Sequence, residues 1–384
     1  MRQMRPGYGW LPEHQTHVIG TLAHVDRLID DIGQMLSDYL RPGPFTLDNV
    51  LDGDQAHVIV TATAPIPEAI PRYIADCLTQ LRAALEHTLY AEVQNSLDQP
   101  LTKEEARAIE FPACPTVPAF TEWLKHGRRR KLKPLTDGSE LVSRIRQLQP
   151  FQRRDPDEHP ALVLAEHTNM AKHRAPAVAM TRLGAVVPAV EHPDLTVSIP
   201  LRSVVGQDNV GLPINEGDVI ASGPRDVHIP LDIWPMVSIQ RPHTESWPVV
   251  MKELGYLEKW IRTTAIPILI NGTRDVPELP PHLDITTGYK DIRSELHRAG
   301  TIPAFERDRA RWDAVASRGG LLECLKAGSD LPRDSIEQWV DALDDDRAIA
   351  HATKLRTAPV YSAEFRAVVS ELLAEVRAHA SHEL

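Results

Sequence analysis

The sequence predicts a mainly helical α+β protein: a helical core with a β-hairpin at about residues 43–64 and a small antiparallel sheet at about 194–240, plus a C-terminal helical region. Three observations carry this prediction. Long stretches repeat apolar residues at three- and four-residue steps, which places them on one face of a helix. Two β-leaning runs flank a glycine turn at Gly53, and beyond Pro176 the helical period gives way to alternation. With 384 residues, 42% hydrophobic and 25% charged, the chain has the material for a sizeable core.

The elements follow in order. Val18, Leu22, Val25, Ile29, Ile32 and Leu36 keep a helical period from His17 to Leu40, and Arg41-Pro-Gly-Pro ends it. Phe45–Leu51 and His57–Thr63 read as the hairpin. A helix from about Glu68 to Val93 follows, with Ile74, Leu78, Leu81, Leu85 and Leu89 on its apolar stripe. Shorter helices are expected around Lys103–Ala108, Ala119–His126 and Gly138–Gln149. His159 or Asp157 caps the next helix, which runs from Ala161 to Arg174 and stops before Pro176. Leu195–Ile199, Asp218–Ser222, Val227–Leu231 and Met236–Gln240 alternate as strands. A helix over Val249–Leu269 closes a core domain of residues 1–270. Residues 271–284 read as a linker and 285–384 as an acidic helical region, with helices near Gly288–Ala299, Ala304–Val315, Asp334–Ala350 and Ala363–Ala380.

Charge is unevenly placed. The formal net charge is -11, yet from Lys125 to Arg154 ten Lys and Arg residues face only Asp137 and Glu140. Clustered cations attract phosphate backbones, so Lys125, Arg128, Arg129, Arg130, Lys131 and Lys133 are candidate nucleic-acid contacts; a solvated positive loop is the plain alternative. No stretch approaches the ~20 apolar residues of a membrane span, and the N-terminus lacks a signal peptide's apolar run. Three cysteines without ligand spacing, Cys77, Cys114 and Cys324, fit a reducing compartment. A cytoplasmic protein without membrane contact is expected.

Two helices carry the polar chemistry. The first holds Arg82, Glu86 and His87 beside its apolar stripe. The second places Glu166, Asn169 and His173 on one face, with His167 and Arg174 next to it and Lys172 near the end. An imidazole accepts a proton near neutral pH and a guanidinium holds phosphate with permanent charge. Equally, Arg82 and Glu86 at i and i+4 make an ordinary helix ion pair. His159, Glu166, His167 and His173 share partial helical register, but no two are spaced as a zinc helix requires, so neither metal nor cofactor is expected.

The segments Leu81-Arg82-Ala83-Ala84-Leu85-Glu86-His87, Phe111-Pro112, Leu148-Gln149-Pro150-Phe151 and Asn169-Met170-Ala171-Lys172-His173-Arg174 resemble, in that order, a group of uncharacterised bacterial proteins. In that group Asp stands where this chain has Glu86 and Ala171. The resemblance covers about residues 70–180 and implies that the two polar helices belong together. Arg82 and His87, with four residues between them on a helix, also resemble the motif of HEPN ribonucleases, although Ala83 replaces the usual polar residue. That resemblance implies a metal-independent RNA endonuclease of toxin or antiviral defence type, working as a homodimer. Arg82 and His87 would be catalytic, with Glu86, Asn169, Lys172, His173 and Arg174 supporting them or binding phosphate. The alternative is a non-catalytic module that binds nucleic acid or protein, in which Arg82, Glu86 and His87 are structural. The C-terminal region is a candidate surface for a protein partner.

Overall fold

A computed structural model of the chain describes residues 7–173, 177–188, 194–197, 211–226, 231–327, 329, 331–359 and 362–382. The fold is mainly helical α+β, and it divides between Phe305 and Glu306 into two units.

In the first unit α1 (His17–Leu40) buries Val18, Leu22, Val25, Ile29, Ile32 and Leu36, the stripe its periodicity predicts. The chain turns at Gly43, whose φ of 82° suits glycine, and enters the hairpin β1 (Phe45–Asp52) and β2 (Gln55–Thr63). Next comes α2 (Ala69–Asn95), the central helix. It runs back along α1, so that His17 at the start of α1 lies beside His87 in the second half of α2. Buried Gln15 fixes this end, donating to Thr88 O at 3.0 Å and to Glu92 Oε1 at 2.8 Å.

Three short helices follow. A capping box of Thr102 and Glu105 starts α3 (Lys103–Ala106), Thr116 caps α4 (Val117–Lys125), and Ser139 caps α5 (Glu140–Gln147). After them α6 (Pro160–His173) packs directly on α2.

The strands form two antiparallel sheets. β3 (Ala179–Pro188) lies between β5 (Leu212–Pro213) and β7 (Leu231–Ile239). The hairpin recruits β6 (Val219–Pro224), which in turn pairs with β4 (Thr196–Val197), giving the order β1-β2-β6-β4. The hairpin therefore shares a sheet with β4 and β6, while β3, β5 and β7 form a sheet of their own. Val60 and Ile220 from one sheet meet Leu183 and Val186 from the other in a small second core. β3 is a strand for which the sequence reading has no counterpart. Of the expected strands Leu195–Ile199 and Val227–Leu231, residues 198–199 and 227–230 lie outside the described residues.

The long helix expected over Val249–Leu269 is interrupted. α7 (Val250–Trp260) passes through a π turn at Ile261–Ala265 into α8 (Ile266–Asn271). Pro267 explains the interruption, since it has no N–H to donate and its ring collides with the carbonyl one turn back. The wider turn also carries buried Arg262, which donates to Glu258 Oε1 at 2.6 Å, Glu278 Oε2 at 3.2 Å and Leu279 O at 3.1 Å.

That last contact bears on the expected linker. Residues 271–284 are tied to the first unit by Leu279 and Leu283, both buried in its main core, and by Trp10 Nε1, which donates to Pro277 O at 3.0 Å. α9 (Ile292–Glu295) belongs there too, so the boundary falls at 305 and not at 285. The proline-rich composition that suggested a linker belongs to a packed irregular segment.

The second unit holds most of α10 (Ala304–Ala327), then α11 (Arg333–Ala342), α12 (Asp345–Thr357) and α13 (Ala363–His382). Leu321, Leu325, Ile336, Trp339, Leu355, Leu372 and Val376 form its core. The single helix expected over Asp334–Ala350 is two, because the Asp344 side chain accepts the Arg347 N–H at 2.8 Å and starts a new one.

Within α7, Gly255 faces Phe305 so closely that an added Cβ would sit 2.5 Å from the ring. Helix propensity alone favours alanine there by about 1 kcal/mol, whereas overpacking costs about 1–3 kcal/mol. Gly255→Ala is therefore expected to destabilise the first unit, read as a lower urea midpoint; a raised midpoint would show that the ring moves freely.

Candidate functional site

The polar centre of α2 is built around one peptide group. Arg82 and Glu86 lie one turn apart, and Arg82 Nη2 donates both to Phe111 O at 2.5 Å and to Glu86 Oε1 at 2.5 Å. Glu86 Oε2 accepts the Phe111 N–H at 2.8 Å. The ion pair thus satisfies both polar groups of a residue whose ring is wholly buried. Arg82 is 8% exposed, with its guanidinium 5.8 Å from the centre of the Phe111 ring. Burial pushes the Glu86 carboxyl up, against the opposing pull of Arg82 and the Phe111 N–H.

His87 does not join this arrangement. Five residues along a helix rotate the side chain by about 140°, so His87 emerges on another side of α2, exposed to solvent. There it lines a groove of about 410 Å³ with His14, His17, Tyr90, Ala91, Gln94 and Asn95. The His17 and His87 rings meet edge to face at 6.2 Å. His17 Nδ1 lies 3.2 Å from His14 O, which makes Nδ1 the protonated nitrogen, and His14 Nε2 lies 2.8 Å from Glu92 Oε1. Burial, with added repulsion from His87 and His14, pushes the His17 pKa down. Arg82 and His87, paired by their spacing, therefore serve two separate places.

The second polar helix contributes less than its sequence implies. Asn169 and Lys172 are exposed, and among the described residues neither bonds to Arg82 or His87. Arg174 lies outside the described residues, as does the side chain of His173. His167 is 1% exposed and 3.8 Å from Glu253. His159 caps α6, its Nδ1 accepting the Ala161 N–H at 3.1 Å while its ring stands edge to face against Trp260 at 5.3 Å. Among the described residues no three His, Cys, Asp or Glu side chains are placed to hold a metal ion. The thiols of Cys77 and Cys114 are buried and pushed up in pKa by that burial, Cys114 to about 11.

Sequence reasoning missed a buried ionic network where α6 begins. Arg241 donates in bidentate fashion to Glu253 at 2.7 and 2.8 Å and also to Glu158. Tyr256 OH donates to Glu158 O at 2.8 Å and accepts from Arg153 Nη1 at 2.8 Å. Burial pushes the Glu253 pKa up, but its bonds to Arg241 and the nearby His167 prevail and hold it below the ordinary value. One signal was legible: Glu253 sits beside Val250, Leu254 and Leu257, on the side of α7 that faces the core.

The basic segment divides sharply. Arg129 is buried, donating to Ala108 O at 3.1 Å and Trp123 O at 2.7 Å, with its guanidinium 4.2 Å over the Trp123 ring. It is a structural residue and not the nucleic-acid contact expected. Arg144 donates to Leu269 O and Ile270 O at 3.1 and 2.6 Å, closing the C-terminal end of α8. Arg146 stacks 4.8 Å over Phe120, and Lys125 pairs with Glu122 at 2.9 Å. Arg128, Arg130, Lys131 and Lys133 remain exposed, and no hydrogen bond or ion pair engages their side chains among the described residues. Two 3₁₀ turns, Arg129–Lys131 and Lys133–Leu135, present them. Their three-residue period turns Arg129, Leu132 and Leu135 inward, and the four cations project outward.

Fold and site together define a mainly helical α+β protein with an exposed basic turn and a separate histidine-lined groove. The chain matches no family model, no curated protein and no solved structure, and no helix among the described residues is long and apolar enough to cross a membrane.

Two predictions follow from this geometry. Removing one partner of a buried ion pair costs about 3–5 kcal/mol, whereas an exposed side chain is worth less than about 0.5 kcal/mol. Arg82→Ala should lower the urea midpoint strongly and His87→Ala hardly at all; equal effects would contradict the separation of the two residues. The second concerns His159, whose pKa burial and nearby Arg153 push down to about 3 from 6.5. The unfolded chain then binds the extra proton between pH 6.5 and 3, so stability is full above this window and falls as pH drops through it, by up to about 1.4 kcal/mol per unit. His159→Asn retains a helix-capping side chain but cannot titrate, and should flatten the loss between pH 7 and 5 in urea titrations. An unchanged slope would place the acid sensitivity elsewhere.

Proposed function

We propose that this protein binds nucleic acid without cutting it, using the basic turn as its phosphate contact. One observation carries the reading: Arg128, Arg130, Lys131 and Lys133 project from a turn that is itself anchored by buried Arg129, Leu132 and Leu135. Unpartnered cations on a rigid support lose little order when a phosphate backbone arrives, and they release its counterions. The remainder of an acidic chain repels a phosphate backbone, which directs the backbone to this turn. Against cleavage, Arg82 already holds the Phe111 peptide and Glu86, and His87 faces a different side of α2. A base and a phosphate-holding cation must meet at one phosphorus to cleave RNA, so the binding alternative is favoured over RNA cleavage.

Titration of a labelled single-stranded RNA against salt should give a slope of log affinity on log salt of about -3, as four phosphate contacts require. Replacing Arg128, Arg130, Lys131 and Lys133 together by Glu should abolish binding with no change in the circular dichroism spectrum. RNA incubated with the protein should stay intact. Cleavage that disappears in His87→Ala would overturn the proposal.

A further inference from the structure

The histidine groove has a chemistry of its own. Its lining carries three planar rings: His17 and His87 meet edge to face at 6.2 Å, and Tyr90, one turn along from His87, is 40% exposed. Ala91, four residues from His87, keeps the space between them open. At about 410 Å³ the groove lies within the range of small-ligand sites. Its hydrogen-bonding groups are also free in a defined way. His17 commits Nδ1 to His14 O and His14 commits Nε2 to Glu92, which leaves the other nitrogen of each ring available. No bond engages the side chains of His87 or Asn95 among the described residues. Gln94, by contrast, holds the following turn through Leu101 N–H at 3.1 Å. The groove lining contains no Lys or Arg and the Glu92 carboxylate lies just beneath, bonded to Gln15 and His14, so no permanent cation draws a phosphate there. Planar rings with hydrogen-bond donors and acceptors at their edges suit a heteroaromatic ring.

We propose that this groove stacks one unpaired nucleobase on Tyr90 and His87, with His17 at the edge of the base. The base arrives either within a single strand, which rests on the nucleic-acid reading above, or as a free nucleotide, which does not. The test uses the full chain and three probes: a single-stranded oligonucleotide containing 2-aminopurine, the same sequence as a duplex, and free 2-aminopurine ribonucleotide. Stacking is expected to quench the fluorescence of the single strand and leave the duplex unchanged. Tyr90→Ala or His87→Ala should weaken single-strand affinity roughly 5- to 100-fold, with duplex affinity unchanged and Tyr90→Phe close to the parent. Quenching of the free nucleotide alone, lost in Tyr90→Ala, supports the groove and overturns the nucleic-acid reading. Equal binding of strand and duplex, indifferent to Tyr90→Ala, overturns the groove and leaves that reading in place. No quenching and no binding of any probe overturns both.

Discussion

The structure depends on the capture of the Phe111 peptide by Arg82 and Glu86. Loops on a helix surface are held poorly unless their backbone groups find partners, and here one salt bridge supplies a donor and an acceptor to a single residue. Phe111 is thereby seated in the main core. Three residues earlier, Ala108 O accepts from Arg129, and three residues later the Cys114 N–H reaches Gln149 Oε1 at 3.0 Å. The basic turn is therefore tied to α2 through a chain of side-chain-to-backbone hydrogen bonds.

The same device recurs. Arg241 with Glu253 and Arg262 with Glu258 are also buried ion pairs, each with a second carboxylate or a carbonyl taking a remaining N–H of the guanidinium. Such pairs add little net stability over an apolar core, because desolvation offsets the attraction. What they fix is geometry: each binds an irregular segment to a helix, residues 107–116, 153–158 and 278–279 respectively. Several arginines that look like surface charge in the sequence instead hold carbonyls or lie on rings, as Arg129, Arg144 and Arg146 show.

That spending explains what could and could not be read from the sequence. The apolar stripes of α1 and α2 and the glycine turn of the hairpin were legible because burial on one face imposes a period on the residues themselves. β3 escaped because its alternation is broken at Gly184, where an added Cβ would lie 2.2 Å from Met236 Cε and the register with β7 slips. The segment around Leu279 read as a linker because two leucines among prolines carry no period. At the site, the spacing of Arg82 and His87 is visible, but five residues is not a whole number of helical turns and the two side chains part; a count of charges between 125 and 154 cannot separate Arg129 from Arg128. The histidine groove joins His14 and His17 to His87 across about seventy residues, a meeting no local pattern records.

The pairing of β2 with β6 has a consequence for how the chain is made. His57 and Ser222 are bonded at 2.8 Å across 165 residues, so during synthesis the hairpin leaves the ribosome long before its neighbour exists. Until β6 arrives, β2 carries an open edge able to pair with any extended segment, and closure of so long a loop is slow. The helical pair of α1 and α2 shares no such delay, since its members are separated only by the hairpin. Pairing of α1 with α2 therefore needs only the first 95 residues, whereas β2 waits for Val219–Pro224 and the core for α7 and α8 beyond it.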